Sequence, residues 1–151
     1  MRGSMVVMLG RLHHVVLDCP DPLALARFYS RLLGDPITYV SDDWVVVSTS
    51  SQASGLAFQR APDHRPPAWP DPAHPQQFHL DVMVEDVAVA SPLVLQLGAT
   101  ELAGDGVFAD PAGHPFCLIK RPGWADPIPD DDADGPPQPA STSPADAMDE
   151  P

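Results

Sequence analysis

Leu12-His13-His14-Val15-Val16-Leu17-Asp18-Cys19-Pro20-Asp21 and Gln77-Phe78-His79-Leu80-Asp81-Val82-Met83-Val84-Glu85-Asp86 read as one local design written twice. His14 and His79 stand 65 residues apart, and so do Asp21 and Asp86. The same offset pairs Leu25 with Ala90, Phe28 with Leu93 and Leu32 with Leu97, and Gly34 and Gly98 follow with a one-residue slip. A polar strand residue, an acid, an apolar helical face and a glycine recur in one order, which marks an internal repeat.

Each copy predicts a strand followed by a helix. The strand segments are rich in β-branched residues. Asp21 and Asp86 then sit at helix N-caps, where a carboxylate accepts otherwise unpaired backbone N–H groups. Pro22 falls at the first helical position, where its missing donor costs nothing. Leu25, Phe28, Leu32 and Leu33 repeat at helical spacing, and Gly34 supplies the stop. In the second copy Pro92 lies near enough the helix start to be tolerated, or it shifts that start. Strands are expected at 37–40, 44–49 and 55–61 after the first helix, and at 100–102, 106–109 and 116–121 after the second. The expected fold is α+β: two βαβββ repeats forming a curved mixed sheet around a cleft.

The organisation follows. Residues 1–10 read as a ragged N-terminus and residues 11–123 as one domain, with half one at 11–62 and half two at 76–123. A Pro-rich linker at 62–75 joins the halves, and His64 and His74 within it are expected to have no fixed role. Residues 124–151 form an acidic tail. From Ala125 onward it has eight acids, seven prolines and no Lys or Arg, so it buries too little apolar surface to offset ordering and is expected to be disordered. The net charge of −13 is therefore mostly the tail's, since the other 124 residues carry thirteen acids and eight bases, a net −5. An acidic chain repels phosphate, so nucleic acid is not an expected partner. No apolar run approaches the ~18 residues of a membrane span. Two cysteines suggest no disulfide framework, and a reducing cytoplasm is the expected location.

Strand side chains alternate, so parity assigns faces. Phe78, Leu80, Val82 and Val84 form an unbroken apolar face that must pack under the helices. His79 is thereby forced onto the opposite face with Asp81, Met83 and Glu85. The repeat places His14 likewise, with Leu12, Val16 and Asp18, and turns His13 the other way. Two imidazoles facing a shared cup suit a metal or small-ligand site. A repeat that merely preserves a packing role accounts for the pair about as well.

The stretches Arg27-Phe28-Tyr29-Ser30-Arg31-Leu32-Leu33-Gly34 and Asp110-Pro111-Ala112-Gly113-His114-Pro115-Phe116-Cys117-Leu118-Ile119, with the His14 strand, resemble the vicinal oxygen chelate superfamily. That superfamily includes glyoxalase I, bleomycin-resistance proteins and extradiol dioxygenases. The resemblance implies metal ligands on the first and last strand of each half: His14 and Gln59 in half one, His79 and Cys117 in half two. Glyoxalase-like enzymes usually carry Glu at the two last-strand positions. Gln59 cannot accept a proton, and a buried thiol at Cys117 keeps its own.

Two readings follow. One is a lyase or isomerase that uses a divalent metal (zinc, nickel, iron or manganese) on a small oxygenated substrate. The other is a metal-free protein that binds or sequesters a drug or metabolite. Trp44 and Phe108 are candidates for stacking on a planar ligand, and Arg121 for an anionic group. The resemblance also implies a homodimer.

Overall fold

The computed structural model describes residues 8–129. Residues 1–7 of the expected ragged start (1–10) and 130–151 of the expected acidic tail (124–151) lie outside the described residues. Half one runs β1 (His14–Cys19), α1 (Pro22–Leu33), β2 (Ile37–Val40), β3 (Trp44–Val47) and β4 (Gly55–Arg60). Half two runs β5 (Leu80–Val84), α2 (Val87–Leu97), β6 (Thr100–Glu101), β7 (Val107–Ala109) and β8 (Pro115–Lys120). The two βαβββ units are thus present, and His79 lies just ahead of β5 rather than inside it.

Each half folds into a four-stranded mixed sheet. The orders are β1-β4-β3-β2 and β5-β8-β7-β6, with the first strand parallel to the last in each. The equivalence of these orders is the repeat expressed in three dimensions.

The helix signals act as read. Asp21 accepts the Ala24 N–H at 3.1 Å, and Asp86 accepts those of Ala88 and Val89 at 2.8 and 3.3 Å. Both helices stop on a left-handed glycine, Gly34 at φ 74° and Gly98 at φ 114°. Pro92 does not move the start of α2, which stays at Val87 and carries the proline inside. That helix buries only Val94, so little packing depends on its regularity.

Parity holds in both opening strands. Leu17, Cys19 and Val82 are buried under the helices, while Val16 and Met83 on the opposite faces are more than a third exposed. One core spans the halves, running from Leu17 and Phe58 through Tyr29 and Phe28 to Phe116 and Phe108. Tyr29 on α1 stacks on Phe58 at 5.4 Å and meets Phe116 edge-on at 6.5 Å, so one helix of half one seals both sheets.

The linker is docked. Trp69 donates its indole N–H to the Ala103 carbonyl at 2.9 Å, and His64 Nε2 lies 3.1 Å from the Ala112 carbonyl. A role for His64 was not expected, because proline content reports missing donors in a segment and not its contacts with distant turns.

Candidate functional site

The open face of half two holds a cluster of ligand-type atoms. Among the described residues, His79, Asp81 and Cys117 alone form a group of three His, Cys, Asp or Glu ligand atoms all within 4.8 Å of one another. Asp81 is the second residue of β5, and its register partner on the parallel β8 is Cys117. Residues paired in register share a face, so carboxylate and thiol stand side by side. His79 precedes by two residues, and its Nε2 lies 3.2 Å from Asp81 Oδ1. His79 and Asp81 are exposed, and Cys117 is half-buried.

The donor chemistry fits a borderline divalent metal. Imidazole nitrogen, carboxylate oxygen and sulfur are all zinc ligands, and metal bonds of ~2.0 Å in a tetrahedron place neighbouring ligands ~3.3 Å apart. The 3.2 Å His79–Asp81 separation already matches such an edge. Burial, and then the negative Asp81 beside it, push the Cys117 thiol pKa up. The thiol is therefore protonated at neutral pH, and a metal must displace that proton to gain the sulfur.

Half one does not supply the matching ligands. Along the repeat Asp81 corresponds to Val16, and the register partner of Val16 is Ala57. Ala57, not Gln59, is thus the counterpart of Cys117. Gln59 pairs with Asp18, four residues along the strand from Gly55, the partner of His14. At ~3.3 Å per residue that separates the His14 and Gln59 levels by ~13 Å, so the parallel register does not bring the expected ligands His14 and Gln59 together. His14 accepts the Gly55 N–H on Nδ1 at 3.1 Å and stacks against His13 at 4.0 Å. It lies outside the His79 cluster.

The expected substrate contacts divide as well. Trp44 shares the open face of its sheet with Gln59 and Asp18 through register, and its indole nitrogen is buried without a protein acceptor. Phe108 is 2% exposed and stacks on Phe116 at 5.8 Å, so it packs the core and faces no ligand on the open side. Arg121 is committed to Glu85 at 2.6 Å and to the Ala125 carbonyl at 2.7 Å. Glu85 also takes the Ile128 N–H, so the pair straps the segment after β8 onto half two. Arg121 brings no unpaired charge to an anionic substrate. A groove of about 560 Å³ runs between Pro66–Trp69 of the linker and the Asp110–Gly113 turn, away from the His79 cluster.

Comparison with known proteins places the chain. The model of a family described as a glyoxalase-like domain matches residues 14–119. A protein of Agrobacterium tumefaciens solved in solution superposes with a TM-score of 0.56 at 17% identity, over 76% of this chain and 100% of that one. A glyoxalase-related enzyme from Fulvimarina pelagi gives 0.52 at 20% identity, over 82% and 95%. A glyoxalase/bleomycin resistance protein from Albidiferax ferrireducens gives 0.52 at 16%, over 74% and 98%. At these identities the likeness is one of fold. No curated protein matches the sequence.

Proposed function

The chain belongs to the glyoxalase-like domain family, and from that premise we propose that it holds a divalent metal on His79, Asp81 and Cys117 and acts as a lyase or isomerase on a small oxygenated substrate. The observation that carries this reading is the convergence of nitrogen, oxygen and sulfur donors within 4.8 Å on the open face of half two. Three protein ligands leave coordination positions open, the arrangement of catalytic rather than structural metal sites. A metal there would supply a Lewis acid for adjacent substrate oxygens. The chain's own part is to orient the ligands and to hold or pass a proton. Asp81 is the group suited to that, being a carboxylate 53% exposed, whereas Cys117 would give up its thiol proton to the metal and hold none to pass. The metal class is zinc, nickel, iron or manganese, with the thiolate favouring zinc among them.

A metal-free binding protein is the second reading, and one observation favours it. The position across from Val16 is Ala57, so at that level half one offers the cup small and apolar groups, and its Asp18 lies further along the strand, opposite Gln59. Exposed Val16, Met83 and Ile119 would then meet an apolar ligand. The same residues support homodimerisation as the way these open faces are covered. No helix of the described residues is long and apolar enough to cross a membrane. Both cysteines are free thiols, which supports a reducing, cytoplasmic setting.

Equilibrium dialysis of tag-free protein against each metal tests the proposal. The enzyme reading requires one metal per chain, lost in His79→Ala. Metal-free protein that still binds small apolar compounds moves the assignment to the second reading.

A further inference from the structure

On the other side of the sheets, where Leu17 and Leu80 face the core, a crevice of about 70 Å³ opens at the seam between the halves. It is lined by His114, Gln76, Tyr29 and Phe78 as well as those two leucines. The polar end is built around Asp110, which is 2% exposed. Its carboxylate accepts the Tyr29 hydroxyl at 2.6 Å and the backbone N–H groups of Ala112 and His114 at 2.9 and 3.0 Å. It also lies 2.8 Å from His114 Nδ1. Among the described residues no Lys or Arg pairs with it, and its one ion-pair partner is His114.

Two consequences follow from that wiring. A carboxylate on Nδ1 fixes the ring tautomer, so the neutral imidazole keeps its proton on Nδ1 and presents Nε2 as an acceptor. Gln76 supplies a second acceptor, because its Oε1 is buried with no partner. His64 closes the outer side, its ring 5.0 Å from that of His114 and its Nε2 engaged with the Ala112 carbonyl. The crevice thus offers acceptors at one end, with the buried Asp110 carboxylate behind His114 and not on the lining, and apolar walls at the other. Half-exposed Phe78 stands at the wall, where an aromatic face attracts a cation.

We propose that this crevice binds the head of a small primary ammonium compound, with Nε2 of His114 and Oε1 of Gln76 accepting its N–H groups and the leucines and Phe78 covering a short alkyl tail. The size agrees. A water needs ~10–15 Å³ of such space, so 70 Å³ takes about five waters or a ligand end of about five non-hydrogen atoms. This site is independent of the metal cluster, since Leu80 faces the core while its neighbours His79 and Asp81 face outward.

The test is an NMR titration of full-length protein labelled at the histidine ring nitrogens, with n-butylammonium as ligand and n-butanol as its neutral analogue. Butylammonium should shift His114 Nε2 saturably and bind at least tenfold tighter than butanol. Gln76→Leu should weaken it by tenfold or more, the scale of a lost charge-assisted hydrogen bond. Equal binding of butanol, or unchanged binding in a folded Gln76→Leu variant, overturns the assignment. Shifts confined to His79 would also overturn it, while leaving the metal proposal standing.

Discussion

Replacing Tyr29 with Phe removes one oxygen and leaves the packing in place, because the ring contacts to Phe28, Phe58 and Phe116 do not involve the hydroxyl. What is lost is the 2.6 Å bond to Asp110, which joins α1 of half one to the turn of half two across 81 residues. A buried hydrogen bond to a charged group contributes ~1.5–3 kcal/mol. Asp110 keeps three other donors, so we take ~2 kcal/mol, which lowers the melting temperature of a domain this size by about 5–12 °C. The pH dependence is a second signature. Burial, then the Asp110 charge and the hydrogen bond to it, raise the Tyr29 pKa above its ordinary value of 10.0. A raised folded pKa means stability that is full below the unfolded value and lost above it. The unfolded chain ionises this phenol above pH ~10, so the native protein loses ~1.4 kcal/mol per pH unit there and the variant loses none from this site. The advantage over Tyr29→Phe should therefore vanish near pH 11.5. Urea unfolding followed by circular dichroism at pH 7 and at steps above pH 9 measures both. A loss under ~0.5 kcal/mol at pH 7, or an advantage that survives to pH 12, refutes the reasoning.

Other outcomes are specific. Burial raises the Cys19 thiol from 9.0 to about 11, so stability should fall by ~2–3 kcal/mol between pH 9 and 11. Comparing Tyr29→Phe with and without Cys19→Ala isolates that slope in the same unfolding assay. Gly55→Ala should cost more than ~2 kcal/mol or prevent folding, since its Cβ would stand 2.1 Å from the Val47 carbonyl oxygen; thermal melts decide it. Asp81→Ala should weaken metal binding tenfold or more by calorimetry, while Gln59→Ala should change it less than twofold. Metal affinity should also rise up to tenfold per pH unit below the raised Cys117 pKa, as one thiol proton is released on binding.

The fold was legible because its signals are local. The caps at Asp21 and Asp86, the stops at Gly34 and Gly98, and the alternation in β5 each depend on neighbours a few residues away. Of the candidate site, parity put His79 and Asp81 on one face, and the family resemblance offered Cys117. Their convergence required the parallel register of β5 and β8, which no local pattern encodes. The same blindness sent the half-one ligand to Gln59 when register gives the position to Ala57. Phe108 lies in the core, which the sequence did not show because β7 is only three residues long and too short for alternation to appear. The ion pair of Arg121 was not visible in the sequence because Glu85, its partner, lies 36 residues away. The Asp110–His114–Tyr29 cluster gave no signal beyond the motif itself. His114 is four residues from Asp110 in the same turn, but Tyr29 is 81 residues away, and only the fold brings it into contact.

Cobalt(II) titration of tag-free protein at pH 8 tests the metal site most directly, because a cobalt–thiolate bond adds a near-ultraviolet charge-transfer band that nitrogen and oxygen ligands do not give. The account predicts that band at one cobalt per chain, its loss in Cys117→Ala, and its retention in His14→Ala. A spectrum without the band, or one abolished equally by His14→Ala, would contradict a centre built on His79, Asp81 and Cys117.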